Sequence, residues 1–120
     1  MVIYSNSIIK ILCRGSSRVE GITLYPFIIL RKEIKGTAAE VYVINHERIH
    51  IAQQAELLVL PFMAIYICEY IWGRAKGLTA DESYRSIRFE REAYYHMYDL
   101  RYLGRRKFLA YRKRWGGEYV

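Results

Sequence analysis

Period-two alternation of apolar positions occupies one short part of this chain, and helical spacing governs most of the rest. Across residues 21–30, Ile22, Leu24, Ile28 and Leu30 fall on one side of an extended chain and Tyr25, Phe27 and Ile29 on the other, which predicts a strand. Pro26 has no N–H to give a ladder, so that strand is expected at a sheet edge, with residues 2–14 pairing beside it as a hairpin or small sheet. From Val43 the period lengthens. No Gly or Pro intervenes before Pro61, and Ile44, Ile51, Ala55, Leu58 and Phe62 recur at helical spacing. This predicts a helix with its apolar stripe on those positions, Asn45 as a candidate N-cap, and a kink at Pro61. A further helix is predicted over 84–100, with Phe89, Ala93, His96 and Leu100 on one stripe and Glu90, Tyr94, Met97 and Arg101 on another. Glycines at 15, 36, 73 and 77 mark loops.

Residues 57–72 carry no charge until Glu69, fall short of the ~20 apolar residues of a spanning helix, and contain Pro61. A buried core helix is therefore expected there. Tyr66, Tyr70 and Trp72 have amphipathic rings of the kind that settle at an interface, which keeps a membrane-adjacent placement open. Toward the C-terminus, Arg101, Arg105, Arg106, Lys107, Arg112, Lys113 and Arg114 occur with no acid among them, while Leu100, Leu103, Phe108, Tyr111 and Trp115 supply an apolar side. That is a basic amphipathic helix in outline. A solvated face over a packed stripe is its plain reading. An anionic membrane surface comes next as a partner, and nucleic acid last, because no helix-turn-helix or zinc-finger spacing accompanies it.

The 120 residues, 52% hydrophobic and 15% aromatic, suffice for one core and not for two lobes. One domain over 1–120 is expected, and any groove in it is shallow or shared. Cys13 and Cys68 make no disulfide framework and are expected as reduced, buried thiols. Residues 1–14 show no basic start and no small-residue cleavage pattern, so no signal peptide is read. The expected location is cytoplasmic, peripheral to a membrane if the basic stretch binds lipid. The net charge of +7 comes largely from that stretch.

Chemistry enters with Asn45-His46-Glu47-Arg48-Ile49-His50, which contains H-E-x-x-H. On a helix, His46 and His50 lie about 40° apart and one turn up the axis, so both rings reach one metal ion while Glu47 flanks it. In metzincins this pattern continues with a helix-breaking Gly three residues after the second His and a third ligand three further on. Gln53 and Glu56 hold those positions here, and strong helix formers over 51–60 keep Glu56 about 240° around from His50, pointing away. The third ligand is sought instead in the second helix. There Glu90 and Glu92 diverge by roughly 200°, so only one can face the ion.

At this point the chain resembles the gluzincin group of zinc peptidases, including thermolysin-like, neprilysin-like and prenyl-protein endopeptidases, in which a downstream helical Glu completes a His-His-Glu site. Their pattern is often E-x-x-A-D, and Glu90-Arg91-Glu92-Ala93-Tyr94 matches at the Glu and the Ala. The resemblance favours Glu90 as third ligand with Glu92 the alternative. Tyr94 stands where an Asp normally orients a ligand His, so the surroundings of the histidines are expected to differ. Over residues 21–103, Tyr-Pro-Phe-Ile-Ile-Leu-Arg, then Asn-His-Glu-x-Ile-His-x-x-Gln-Gln-x-Glu-Leu-Leu, then Tyr-Arg-x-Ile-x-Phe-Glu-Arg-Glu-Ala-Tyr is similar to a family of very small gluzincin-like proteins. That resemblance implies a mainly helical α+β fold, a minimal zincin-like domain. It would have a small N-terminal sheet, an active-site helix, a kinked apolar helix and a C-terminal helix carrying the third ligand. It also implies that the edge strand over 21–30 guides a substrate backbone; a strand that only roofs the core is the other reading.

The expected activity is that of a zinc-dependent metallopeptidase on a peptide or protein substrate. One Zn2+ held by His46, His50 and Glu90 would keep a fourth position for water, with Glu47 as general base. Tyr94, Tyr98 and His96, then Tyr84 and Arg88, are candidates to hold the oxyanion or support the ligands. The rival is a catalytically silent zinc-binding domain that serves as a protein- or membrane-surface-binding module. Glu47 weighs against it, since a structural site needs no base there and usually recruits a fourth protein ligand.

Overall fold

The computed structural model describes residues 1–12, 20–113 and 115–116, and shows a mainly helical α+β fold with one small sheet. Strands β1 (Val2–Tyr4), β2 (Gly21–Leu24) and β3 (Phe27–Leu30) lie in the order β1-β3-β2. β3 runs parallel to β1 and antiparallel to β2. The continuous strand expected over 21–30 is thus a hairpin. Leu24 pairs with Phe27, and Tyr25-Pro26 forms the two-residue turn between them with a cis peptide bond. Pro26 avoids the ladder by sitting in the turn, which is the other place a residue without an N–H is tolerated. Residues 6–12 form helix α1 (Asn6–Leu12), so β1 alone of the N-terminal segment joins the sheet. Cys13, Arg14, the turn at Gly15 and Arg114 lie outside the described residues.

The long helix comes in two parts. Helix α2 (Glu40–Leu57) ends where Leu58 takes a left-handed φ of 67°, and α3 (Val59–Ala75) leaves at 113° to it. Pro61 explains the break, since an uninterrupted helix would need its absent N–H to reach the Leu57 carbonyl and would drive its ring into that oxygen. In the first turn of α3 the missing N–H costs nothing, because it would have no helical partner there. The second predicted helix also divides, at Ile87 (φ −60°, ψ 130°), into α4 (Ala80–Ser86) and α5 (Arg88–His96). Thr79 and Glu82 close a reciprocal capping box on α4. Glu69 of α3 accepts the Arg88 N–H at 2.9 Å and pairs with its guanidinium, holding the start of α5.

The structure departs from most of the expected stripe, of which Phe62, beyond the end of α2, is the one buried member. Ala55 and Leu58 are exposed and Ile44 and Ile51 half-buried, while the buried face carries Asn45, His46, Glu47, His50, Gln53 and Gln54 beside Val43 and Ile49. A polar face is buried only when its groups find partners, and α5 and β2 supply them. Asn45 is not an N-cap. It lies in the second turn and donates to the carbonyls of Met97 (2.8 Å), Asp99 and His96, closing the C-terminal end of α5. Apolar packing gathers around this seam in three groups: Ile28, Leu30, Ile34 and Val43 between sheet and α2; Phe62, Ile87, Phe89 and Tyr111 between α3 and α5; and Ile49, Ala93 and Tyr102.

The basic C-terminal stretch is not one amphipathic helix. It holds the four-residue α6 (Tyr102–Arg105) and a 3-10 turn at Ala110–Arg112. Arg105 pairs with Asp99, and Arg106 is turned inward onto Glu56 and Glu92. Helix α3 differs from the expected core helix as well, because Phe62 and Gly73 alone of its residues are buried, and Cys68 is exposed. At Gly73 an added Cβ would stand 3.0 Å from Ser83 Cβ and 3.3 Å from its Cα, with the Ser83 hydroxyl closer still. Gly→Ala inside a helix ordinarily gains up to about 1 kcal/mol. Here overpacking against α4 reverses the sign, and Gly73→Ala should lose about 1–3 kcal/mol in urea unfolding. An unchanged midpoint would mean the α3–α4 contact is looser than described.

Candidate metal centre

His46 and His50, one turn apart on α2, aim their Nε2 atoms at one point with Glu90 from the first turn of α5. His46 Nε2 lies 3.1 Å from Glu90 Oε1, His50 Nε2 3.2 Å from the same oxygen, and the two nitrogens 3.2 Å from each other. All three residues are buried. Tetrahedral coordination at about 2.0–2.2 Å puts donors about 3.3–3.6 Å apart, so the triangle is within a few tenths of an ångström of one face of a metal site. This group can hold a metal ion. Glu90 Oε2 is held outside the triangle by the Tyr66 hydroxyl at 2.7 Å.

Protonation at His50 follows from its neighbour. The Gln53 Nε2 donates to Phe89 O (3.1 Å) and Glu92 Oε1 (2.9 Å), both of which only accept, so its Oε1 faces His50 Nδ1 at 2.7 Å. Nδ1 therefore carries a proton, and the neutral ring presents its Nε2 lone pair to the centre, as a metal ligand must. His46 differs. Its Nδ1 is buried with no partner among the described residues, and Tyr94 packs edge-on against its ring at 4.4 Å between centroids.

The two candidate carboxylates occupy separate environments. Glu92 faces the opposite side of α5 and takes part in a second network, accepting from Gln53, from the Tyr102 hydroxyl at 2.7 Å and from Arg106, which also binds Glu56 at 2.7 Å. Glu56, rejected as a ligand, thus anchors Arg106 and the Leu109 N–H. Among the described residues, Glu92 connects to the centre through Gln53. Without metal, burial is the largest single influence on His50 and opposes its charge, but the charge and hydrogen bond of Glu90, with the Glu47 charge and the Gln53 bond, together outweigh it and push His50 up to about 9. Burial would raise Glu90, and the two imidazoles more than reverse that, holding it below the usual carboxylate range.

Glu47 lies on the adjoining wall. Its Oε1 accepts the Thr23 hydroxyl at 2.7 Å, and its carboxyl carbon lies beside Gly21, where an added Cβ would be in ordinary contact with it at 3.5 Å. With His46 it borders a groove of about 1150 Å3 whose other walls include Gly21, Tyr84, Arg85, Tyr94 and Tyr98. Tyr84 and Tyr94 share a 3.0 Å hydroxyl contact, and burial with the nearby Glu90 charge raises both above the ordinary phenol value. Tyr98 is exposed at the rim against Tyr42. Two of the named candidates lie elsewhere: His96 stacks on Tyr102 beside Trp115, and Arg88 is taken by Glu69. Part of the expected strand edge is also occupied, because Gln54 accepts from Tyr25 N (2.7 Å) and donates to Thr23 O (3.0 Å). Gly21 is the strand residue that borders the groove.

Gln53, Tyr66 and Thr23 were not expected from the sequence as supports of the site. Gln53 was open to inference, three residues beyond His50 on the same helix face. Tyr66 and Thr23 arrive from other elements and carry no local signal. No protein-family model matches this chain, and no curated protein or solved structure is significantly similar to it.

One metal titration separates the roles. Glu90→Gln should abolish stoichiometric binding, and Gln53→Leu should keep one site weakened about 10- to 100-fold. Glu92→Gln should leave the donors in place and instead lower unfolding stability, toward the about 3–5 kcal/mol typical of breaking a buried ion pair. Loss of the site in Glu92→Gln with an intact fold would reverse the assignment.

The pH response carries its own sign. In chelator-treated protein the raised His50 value means that its contribution is whole below about 6.5, the unfolded value, and is lost as pH rises through about 9. The lowered Glu90 value means that its contribution is whole above about 4.5 and is lost as pH falls. Bound metal must displace the His50 proton, so the stability that added metal confers should grow from pH 6 to pH 9. Thermal melts with and without metal at both values check this, and a metal effect that shrinks with rising pH would contradict it.

Proposed function

We propose that this chain is a zinc-dependent peptidase, with His46, His50 and Glu90 as ligands and Glu47 as general base. One observation carries the reading. Glu47 is a carboxylate outside the donor triangle, beside a ligand histidine and on the wall of a groove, and among the described residues its side-chain partner is the neutral Thr23 hydroxyl. A site serving the fold alone has no use for such a group. The same two-His, one-carboxylate set also suits Fe(II), and the base on the helix of the histidines favours zinc. The resemblance to gluzincins points the same way.

When bound, zinc supplies the Lewis acidity that makes water a nucleophile near neutral pH. Glu47 takes the proton of the attacking water and returns it to the leaving amine. Thr23 engages one oxygen of Glu47 and so fixes the carboxylate's orientation. The Tyr84 and Tyr94 hydroxyls, kept protonated by their raised values, are the donors available to the oxyanion that develops as a carbonyl is attacked. Gly21, at the outer edge of β2, is the point where an extended substrate backbone would lie along the sheet.

Glu47→Gln preserves shape and hydrogen bonding and removes the base. Metal content and fold should match the unaltered protein, while hydrolysis of a peptide library falls by at least about 100-fold. If the zinc-loaded protein cleaves nothing across a broad library, or the variant cleaves as well, the silent zinc-binding domain becomes the better description.

A further inference from the structure

Helix α3 is apolar on all sides, and such a helix is ordinarily covered on all sides, by a protein core or by lipid. One side of α3 is covered by its own chain, where Phe62, Ile65, Tyr66 and Tyr70 pack toward Phe89 and Tyr111. The other side is open. Leu60 is 80% exposed, Ile67 50%, Ile71 60% and Trp72 63%, and Met63 lies on the same face. Ala64 and Cys68 fill the intervening positions, so an uncharged, apolar band follows the helix from Leu60 to Trp72 for about 18 Å.

The exposed charges on α3 and immediately beyond its C-terminal end are basic. The single acid of α3, Glu69, is turned away onto Arg88. At the C-terminal end stand the exposed Arg74 and Lys76, the latter with its Nζ 5.9 Å from the centre of the Trp72 ring. At the other end, the Leu109 N–H on Glu56 brings the exposed Lys107 and Phe108 close to the α2–α3 junction. We infer that the open face of α3 lies on an anionic lipid surface, with Leu60, Ile67, Ile71 and Trp72 entering the headgroup boundary and Arg74, Lys76 and Lys107 meeting lipid charge. Apolar burial and basic attraction act together at such a surface, and an indole beside a lysine suits its depth. The helix lies in the plane. No single helix among the described residues is long and apolar enough to cross, and the inner side of α3 is committed to the core. This inference is independent of the proposed chemistry.

Flotation of the full chain with phosphatidylcholine vesicles, with and without phosphatidylserine, tests it. Binding should require phosphatidylserine, weaken in high salt as charge is screened, and shift tryptophan emission to the blue. Ile67→Glu should reduce binding at least 10-fold with circular dichroism unchanged. Arg74→Glu with Lys76→Glu, which leaves the apolar band intact, should also reduce it, so the test stands even if Ile67→Glu fails to fold. Absence of vesicle binding, or binding indifferent to both variants, overturns the inference. Light scattering that reveals a dimer broken by Ile67→Glu, without lipid binding, would instead assign the face to a second copy of the chain.

Discussion

Burying a carboxylate between two imidazoles is costly unless a proton or a metal ion lies among them. Glu90 meets His46 and His50 under that constraint, and the arrangement of α2 against α5 follows from it. The two helices bring polar faces together, so their packing is set by directional bonds rather than by an interchangeable apolar stripe. Asn45 ties α2 to the end of α5, Gln53 ties it to the middle, and the histidines meet the first turn. Register errors between these helices would strand several buried polar groups at once, each at about 1–3 kcal/mol.

A second network makes the C-terminal segment part of the same construction. Arg106 bridges Glu92 and Glu56, and Glu92 in turn holds the Gln53 amide that orients His50. The basic residues read along the sequence as a surface stripe are therefore divided between solvent and interior. What the region contributes at Arg106 is a buried pair whose loss would propagate to His50 of the candidate metal centre.

Much of the candidate site was legible because H-E-x-x-H is a local pattern whose geometry follows from helix periodicity alone. The choice between Glu90 and Glu92 was narrowed by resemblance, and the structure separates them by their partners. The apolar stripe of α2 was misread for a physical reason. Hydropathy assigns polar residues to solvent, whereas here His46, Glu47, Gln53 and Gln54 are satisfied by groups that arrive from distant sequence. Pro61 announced a discontinuity, but its place at Leu58, a residue type with no special tolerance for the positive φ of 67° it adopts, had no signal in the sequence. Pro26 was read as an edge signal when it marked a turn, since both settings exclude its absent N–H equally well. The open face of α3 was hidden because a long apolar run looks alike whether a core or something outside the chain covers it.

The central claim is that His46, His50 and Glu90 hold one ion while Glu47 stays outside its coordination. Anomalous diffraction from crystals of the zinc-loaded protein, recorded on both sides of the zinc edge, tests it most directly. The account predicts a single peak about 2.0–2.2 Å from both Nε2 atoms and from Glu90 Oε1, with Glu47 still on Thr23. A peak coordinated by Glu47 or Glu92, or none between the histidines, would contradict it.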